Sequence, residues 1–249
     1  MKNVVLSIVL VLGLVVVTGC GASSSPQAGA TASPQAAAPD AGLAVPWGAG
    51  DRAEYTIEMD GKTLGTLSFS TQSKDNGHII TTETSAGAVK DVSNVRVDKN
   101  LKPIGNTRQV TGAGKSDFAL MTVYDKGKLT IQAKTADGDK TATISVPADS
   151  WDNDQSLVCI RALPLGEGYT YAYTNIVGAS AGVLKTTLTV LGQEKVDVPA
   201  GSFTAYKVEM DFGQGKNYGW YDVNAPHHII KYENEPAKQV ILLAKVGTP

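Results

Sequence analysis

The chain has 249 residues, with 22 lysines and arginines against 24 aspartates and glutamates and a formal net charge of −2. This near-neutral balance, without a long basic run, excludes the electrostatic footprint of a nucleic-acid partner. Two cysteines, Cys20 and Cys159, are too few for a disulfide-stapled scaffold, so burial must hold the fold together.

Met1-Lys2-Asn3 carries one positive charge, and an apolar run from Val4 to Val17 follows it, broken by Ser7 and Gly13. About 14 residues are too few to span a bilayer, which takes roughly 20. The length suits a signal-peptide core. The run ends in Val17-Thr18-Gly19-Cys20, which resembles the lipobox of bacterial lipoproteins. That resemblance implies a lipoprotein signal peptide over residues 1–19 and lipidation of Cys20, with the membrane as its partner. A plain cleaved signal or an N-terminal anchor is the alternative. Each buried methylene of such an anchor contributes about 0.8 kcal/mol, and two or more acyl chains hold stably. Gly21-Ala22-Ser23 carries no acid after the cysteine, which favours the outer membrane in an organism that has one.

Residues 20–45 read as a linker, built from Gly21 to about Ala44 mainly of Ala, Ser, Pro, Gly and Gln, with one charge, Asp40, and Ser-Pro-Gln-Ala at both Ser25–Ala28 and Ser33–Ala36. Such a segment cannot bury enough apolar surface to offset its ordering entropy. It reads as a flexible tether with a reach of roughly 25–30 Å.

The domain, residues 46–249, reads as mainly β. Ala53, Tyr55, Ile57 and Met59 alternate with polar neighbours, the period of a half-buried strand. Asp60-Gly61, Asn76-Gly77 and Asp137-Gly138 suit two-residue hairpin turns. Strands are expected near 62–70, 78–84, 89–97, 103–110, 118–124, 128–133 and 140–146. One helix is expected over Asp152–Leu163, capped by Asp152 with Gln155 in a capping-box position and stopped by Pro164. Strands then resume near 169–177, 183–191, 194–198, 203–212, 217–223, 228–233 and 239–246. Short connections favour antiparallel meanders. The expected fold is a curled antiparallel sheet, a half-barrel or open barrel of about 10–12 strands, with one short helix near 152–163. Its concave side is either filled by side chains or left open for a lipophilic ligand.

Asp154-Gln155-Ser156-Leu157 running to Leu163-Pro164-Leu165, Val198-Pro199-Ala200-Gly201-Ser202-Phe203, and Gly219-Trp220-Tyr221 ahead of Ile229–Glu233 occur together with Trp47 and Gly50-Asp51. In this the stretch from Pro46 to Val246 resembles a bacterial envelope family of unknown function, with half-barrel domains akin to the lipoprotein carriers of the outer-membrane export route. The resemblance implies no catalytic residues.

No nucleophile elbow, phosphate loop or H-E-x-x-H motif is present, so no catalytic residue, metal ligand or cofactor is expected. Cys159 reads as a small buried apolar group on the helix. His227 and His228 would point to opposite faces of a strand and could not chelate together. Asp152, Asn153 and Asp154 read as helix capping rather than a calcium loop. Tyr169, Tyr171 and Tyr173 share one strand face, and Tyr206 and Met210 share another with Val208 and Phe212. On a concave wall these five would line a ligand groove, and otherwise they are cross-strand packing. The expected role is a non-catalytic binding or carrier module for a lipophilic ligand. The alternative is an envelope scaffold that meets a protein partner.

Overall fold

The computed structural model describes residues 43–48, 50–213 and 215–247. Among the described residues there are fifteen strands and one α-helix. The first eight strands are β1 (Arg52–Met59), β2 (Lys62–Lys74), β3 (Gly77–Ala86), β4 (Val89–Asp98), β5 (Pro103–Thr111), β6 (Phe118–Asp125), β7 (Lys128–Thr135) and β8 (Gly138–Ser145). A short β9 (Ser150–Asp152) leads into α1 (Asn153–Cys159). Then come β10 (Thr170–Val177), β11 (Gly182–Val198), β12 (Gly201–Asp211), β13 (Lys216–Asp222), β14 (Ile229–Asn234) and β15 (Gln239–Gly247).

All fifteen belong to one sheet, in the order β8-β7-β6-β5-β4-β3-β2-β1-β15-β14-β13-β12-β11-β10-β9. Two meanders are joined where β1 pairs with β15, so the first and last of the described strands meet in mid-sheet. Every pairing is antiparallel except β9 with β10. There α1 supplies the crossover that a parallel pair requires. The sheet curls around α1, but its two ends, β8 and β9, do not pair, so the barrel stays open.

Local chemistry explains most of the turns. Asp60 and Gly61 take φ of 49° and 71°, as the β1–β2 hairpin needs. The next turn lies one residue earlier than expected: Asp75 takes φ 51°, and Gly77 is already in β3, paired with Lys74. Gly77 is small for a different reason, since a Cβ there would lie 2.0 Å from the Val97 carbonyl oxygen on β4. The Asp137-Gly138 turn shifts likewise, with Gly138 opening β8 opposite Thr135. The expected strands at 183–191 and 194–198 are one strand, β11, bulged between Val190 and Gly192. A bulge keeps pairing while re-aiming the chain.

The helix is shorter than its sequence pattern. After Cys159 it tightens into a single 3-10 turn, Ile160–Ala162. Asp152 caps it by accepting from the Asp154 backbone N–H at 3.1 Å. Gln155 does not close a capping box. Its amide crosses to the Leu101 carbonyl oxygen at 2.8 Å, tying α1 to the turn before β5.

All seven residues of α1 are buried. Leu157, Val158 and Ile160 join Tyr55, Tyr173, Trp151, Tyr221, Tyr232 and Met210 in one continuous core. Side chains and helix thus occupy the inside of the curl. A second, smaller cluster of Leu120, Leu129, Ile131 and Ile176 lies where β10 approaches β6 and β7.

Candidate functional site

On β4, β5 and β6 the alternation that points Val95, Val110 and Leu120 inward also points Asp91, Ser93, Asn106, Arg108 and Tyr124 inward. These polar side chains face Asp152 and Asp154 at the start of α1. Tyr124 donates to Asp152 Oδ2 at 2.8 Å, and Ser93 Oγ lies 2.7 Å from Asp154 Oδ2. The Asn106 amide nitrogen reaches Asp152 Oδ1 at 3.3 Å and Asp154 Oδ2 at 3.0 Å. Arg108 forms a bidentate pair with Asp91 at 2.9 and 2.6 Å, and its Nη1 lies 3.5 Å from Asp154 Oδ1. Asn175 on β10 completes the net by donating to Asn153 at 2.9 Å.

Three buried carboxylates therefore share one guanidinium. Burial, and then the charge of Asp154, push the Asp152 carboxyl up to about 7, against the opposing bonds from Asp154 N–H, Tyr124 and Asn106. Burial also raises Asp154, but Arg108 and the bonds from Ser93, Asn106 and Asn153 outweigh it and hold that carboxyl below its ordinary value. Neighbouring carboxyl groups split in this way because both are costly to ionise together. The arrangement can hold a proton. Both carboxyl groups are almost fully buried, at 2% and 6% exposure.

A second buried ion pair lies at the other end of the helical segment. Arg161 Nη1 is 2.7 Å from Asp51 Oδ2, Nε donates to the Pro226 carbonyl oxygen at 3.0 Å, and the guanidinium carbon sits 5.3 Å from the Trp47 ring centre. His228 lies 3.6 Å from Asp51, and burial and then the Arg161 charge hold its pKa below the ordinary value.

The opposite face of β3–β7 carries two adjoining hollows of about 490 and 370 Å³. Asn94, Thr107 and Met121 line both. Ile104, Met121 and Val123 stand 38%, 44% and 48% exposed there, unusual for large apolar side chains. Arg108 and Asn106, which line one hollow each, also belong to the buried network.

The sequence-derived candidates fall as follows. Cys20 lies outside the described residues. Tyr171 and Tyr173 are buried, with ring centres 5.4 and 4.6 Å from that of Trp151. Tyr169 precedes β10 and is half-buried against the core. Tyr206 is half-buried opposite Tyr221, and Met210 is buried on the same strand. Cys159 is fully buried, and burial pushes its thiol well up. His227 and His228 are not on a strand: His227 takes φ 55° between β13 and β14, so the expected alternation does not apply. Among the described residues no group of three or more His, Cys, Asp or Glu could hold a metal ion. Sequence reasoning missed Ser93, Asn106, Arg108 and Tyr124. The available signal was polar residues continuing an otherwise apolar strand face.

Residues 54–238 match the family described as Protein of unknown function (DUF3108). The chain belongs to this family. Its fold is similar to that of a β-barrel-like protein of domain of unknown function DUF1849 from Brucella abortus. The two share 12% identity and a TM-score of 0.53, with 80% of this chain and 97% of that one covered. A Bacteroides fragilis protein of YmcC-like fold aligns at 11% identity and a TM-score of 0.28, over 82% of this chain and 98% of that one. No curated protein matches the chain. Among the described residues no helix is long and apolar enough to cross a membrane.

Proposed function

We propose that this DUF3108 chain is a lipoprotein of the bacterial cell envelope, anchored through lipidated Cys20, whose β domain is a non-catalytic binding module working through its outer face. One observation carries the choice of face. The inside of the curl is taken up by α1 and the aromatic core, whereas Ile104, Met121 and Val123 stand exposed around a hollow on the outside. A lipophilic ligand would lie there, apolar against those three, with Asn94 and Thr107 offering polar orientation. The carrier role expected from the sequence therefore moves from the concave side to the convex one.

The test is native mass spectrometry and organic extraction of the full chain purified from its membrane. A retained acyl species that Met121→Asp abolishes supports the reading, and a chain that never carries one removes it. The anchor is tested separately by fractionating cells that express Cys20→Ser. Membrane retention of that variant would count against lipidation.

A specific observation favours a second reading, a protein-interaction domain. β8 ends the sheet as an exposed strand, and no described strand pairs with its outer edge. Such an edge accepts an added strand from a partner. In-cell cross-linking from β8 should then yield one dominant partner.

A further inference from the structure

We propose that the open seam of this sheet is a proton-controlled latch: one proton held by the Asp152–Asp154 pair keeps β9 and α1 docked against β4–β6, and its loss loosens them.

No ladder of backbone bonds joins the two ends of the sheet, since β8 and β9 do not pair. On the polar side of the seam, docking is done by side chains, with Ser93, Asn106 and Tyr124 bonded to the two carboxyl groups. Every one of these bonds ends on Asp152 or Asp154, so the charge of that pair decides whether the seam is satisfied.

Three carboxyl groups face one guanidinium, so ionising both members of the pair leaves two negative charges unmatched. Asp91 on β4 already holds Arg108 of β5 in a bidentate pair, and Arg108 reaches Asp154 only at 3.5 Å. Tyr124 on β6 and Cys159 on α1 are both held well above their ordinary values, by burial first, and so stay neutral and supply no charge of either sign. From β10 the pair is faced by Asn175 and Ile176, which do not titrate. A second ionised carboxylate in this interior has no partner cation, and an unpaired buried charge is among the most destabilising features a fold can contain.

The direction with pH follows. An unfolded aspartate loses its proton near 3.8, whereas folded Asp152 keeps it to about 7. Between those values the folded state binds more protons. The stability the proton confers is therefore complete below about 3.8 and lost as pH rises through 7. Because Asn106 and Arg108 also line the outer hollows, loosening the latch alters that surface as well. The latch stands whether or not the hollow takes a ligand.

Asp152→Asn provides the test, because an amide mimics the protonated acid: its oxygen can accept from Asp154 N–H and its nitrogen can donate to Tyr124. Hydrogen exchange of the full chain, corrected for intrinsic rates, should show protection over β9 and α1 falling at least tenfold between pH 5.5 and 8.5. In Asp152→Asn that protection should stay flat. A parallel fall in the variant, or an equal loss across all strands, overturns the latch. Asp154→Asn gives an independent check. Without its neighbour's charge Asp152 ionises more readily, so the loosening must move to lower pH. An unmoved transition also overturns the proposal.

Discussion

The Tyr124 hydroxyl lies 2.8 Å from Asp152 Oδ2, and this contact joins the third strand of the sheet order to the fifteenth. Closed barrels bring their ends together with a backbone ladder. Here a phenol, an amide and a hydroxyl reach from β4–β6 to two carboxyl groups at the start of one helix. Exposed ends of a sheet invite pairing with other chains. Burying β9 under side chains leaves β8 as the open edge among the described residues.

Tyr124→Phe should keep the ring's packing and remove its hydroxyl. Asp152 Oδ2 then loses its phenol partner in a buried setting. The expected loss is about 1–3 kcal/mol, the range for a buried polar group left unsatisfied. Urea unfolding measures it, and an unchanged midpoint would show that the contact carries no stability.

Arg108→Met should cost more. It leaves Asp91 and Asp154 without the guanidinium that faces both. Removing one partner of a buried pair typically costs about 3–5 kcal/mol. Adding Asp91→Asn and Asp154→Asn to the same chain should recover much of that loss. Failure to recover would mean that Arg108 acts through packing on Phe118, whose ring centre is 5.8 Å away.

Asp154 sets the acid limb of stability. Its carboxyl is held below the ordinary 3.8, so the stability it contributes is present above that value and is lost as pH falls through its folded pKa. Melting temperature followed from pH 4 to pH 2 should fall steeply in the natural chain and less steeply in Asp154→Asn. Identical slopes would assign the acid limb to other carboxylates.

Gly65→Ala should destabilise although it adds one methyl group. Gly65 sits at the β1–β2 irregularity, and a Cβ there would lie 2.0 Å from the Ser85 carbonyl oxygen of β3. Backbone, not a flexible side chain, must give way, at a cost of about 1–3 kcal/mol. Thermal unfolding would report it. Gly87→Ala is the contrast: its site has open space, so any loss there reflects only the φ of 59°.

Much of the β architecture was legible because alternation is a local property. Tyr55, Ile57 and their neighbours declare a half-buried strand without reference to anything distant, and Asp60-Gly61 declares its turn. The turns at Gly77 and Gly138 were misplaced by one residue. At Gly77 the glycine answers to a neighbouring strand, and that neighbour is not written beside it. The helix was legible through its apolar stripe and its Asp152 cap. Its early tightening after Cys159 was not, because tertiary packing sets where a buried helix stops.

The buried network marks the boundary most clearly. Asp152 caps a helix, and local sequence can say so. That it also meets Tyr124, Asn106 and Asp154 depends on how far the sheet curls. By itself the sequence determined the alternating faces, most of the turns, the helix cap and a lipobox-like leader, all of which act over a few residues. Only the tertiary structure decided that the curl is open, that its inside is occupied, and that an excess of carboxyl groups faces one arginine across the seam. Curvature accumulates over fifteen strands, and small twists at each pairing add up to contacts that no single stretch of chain encodes.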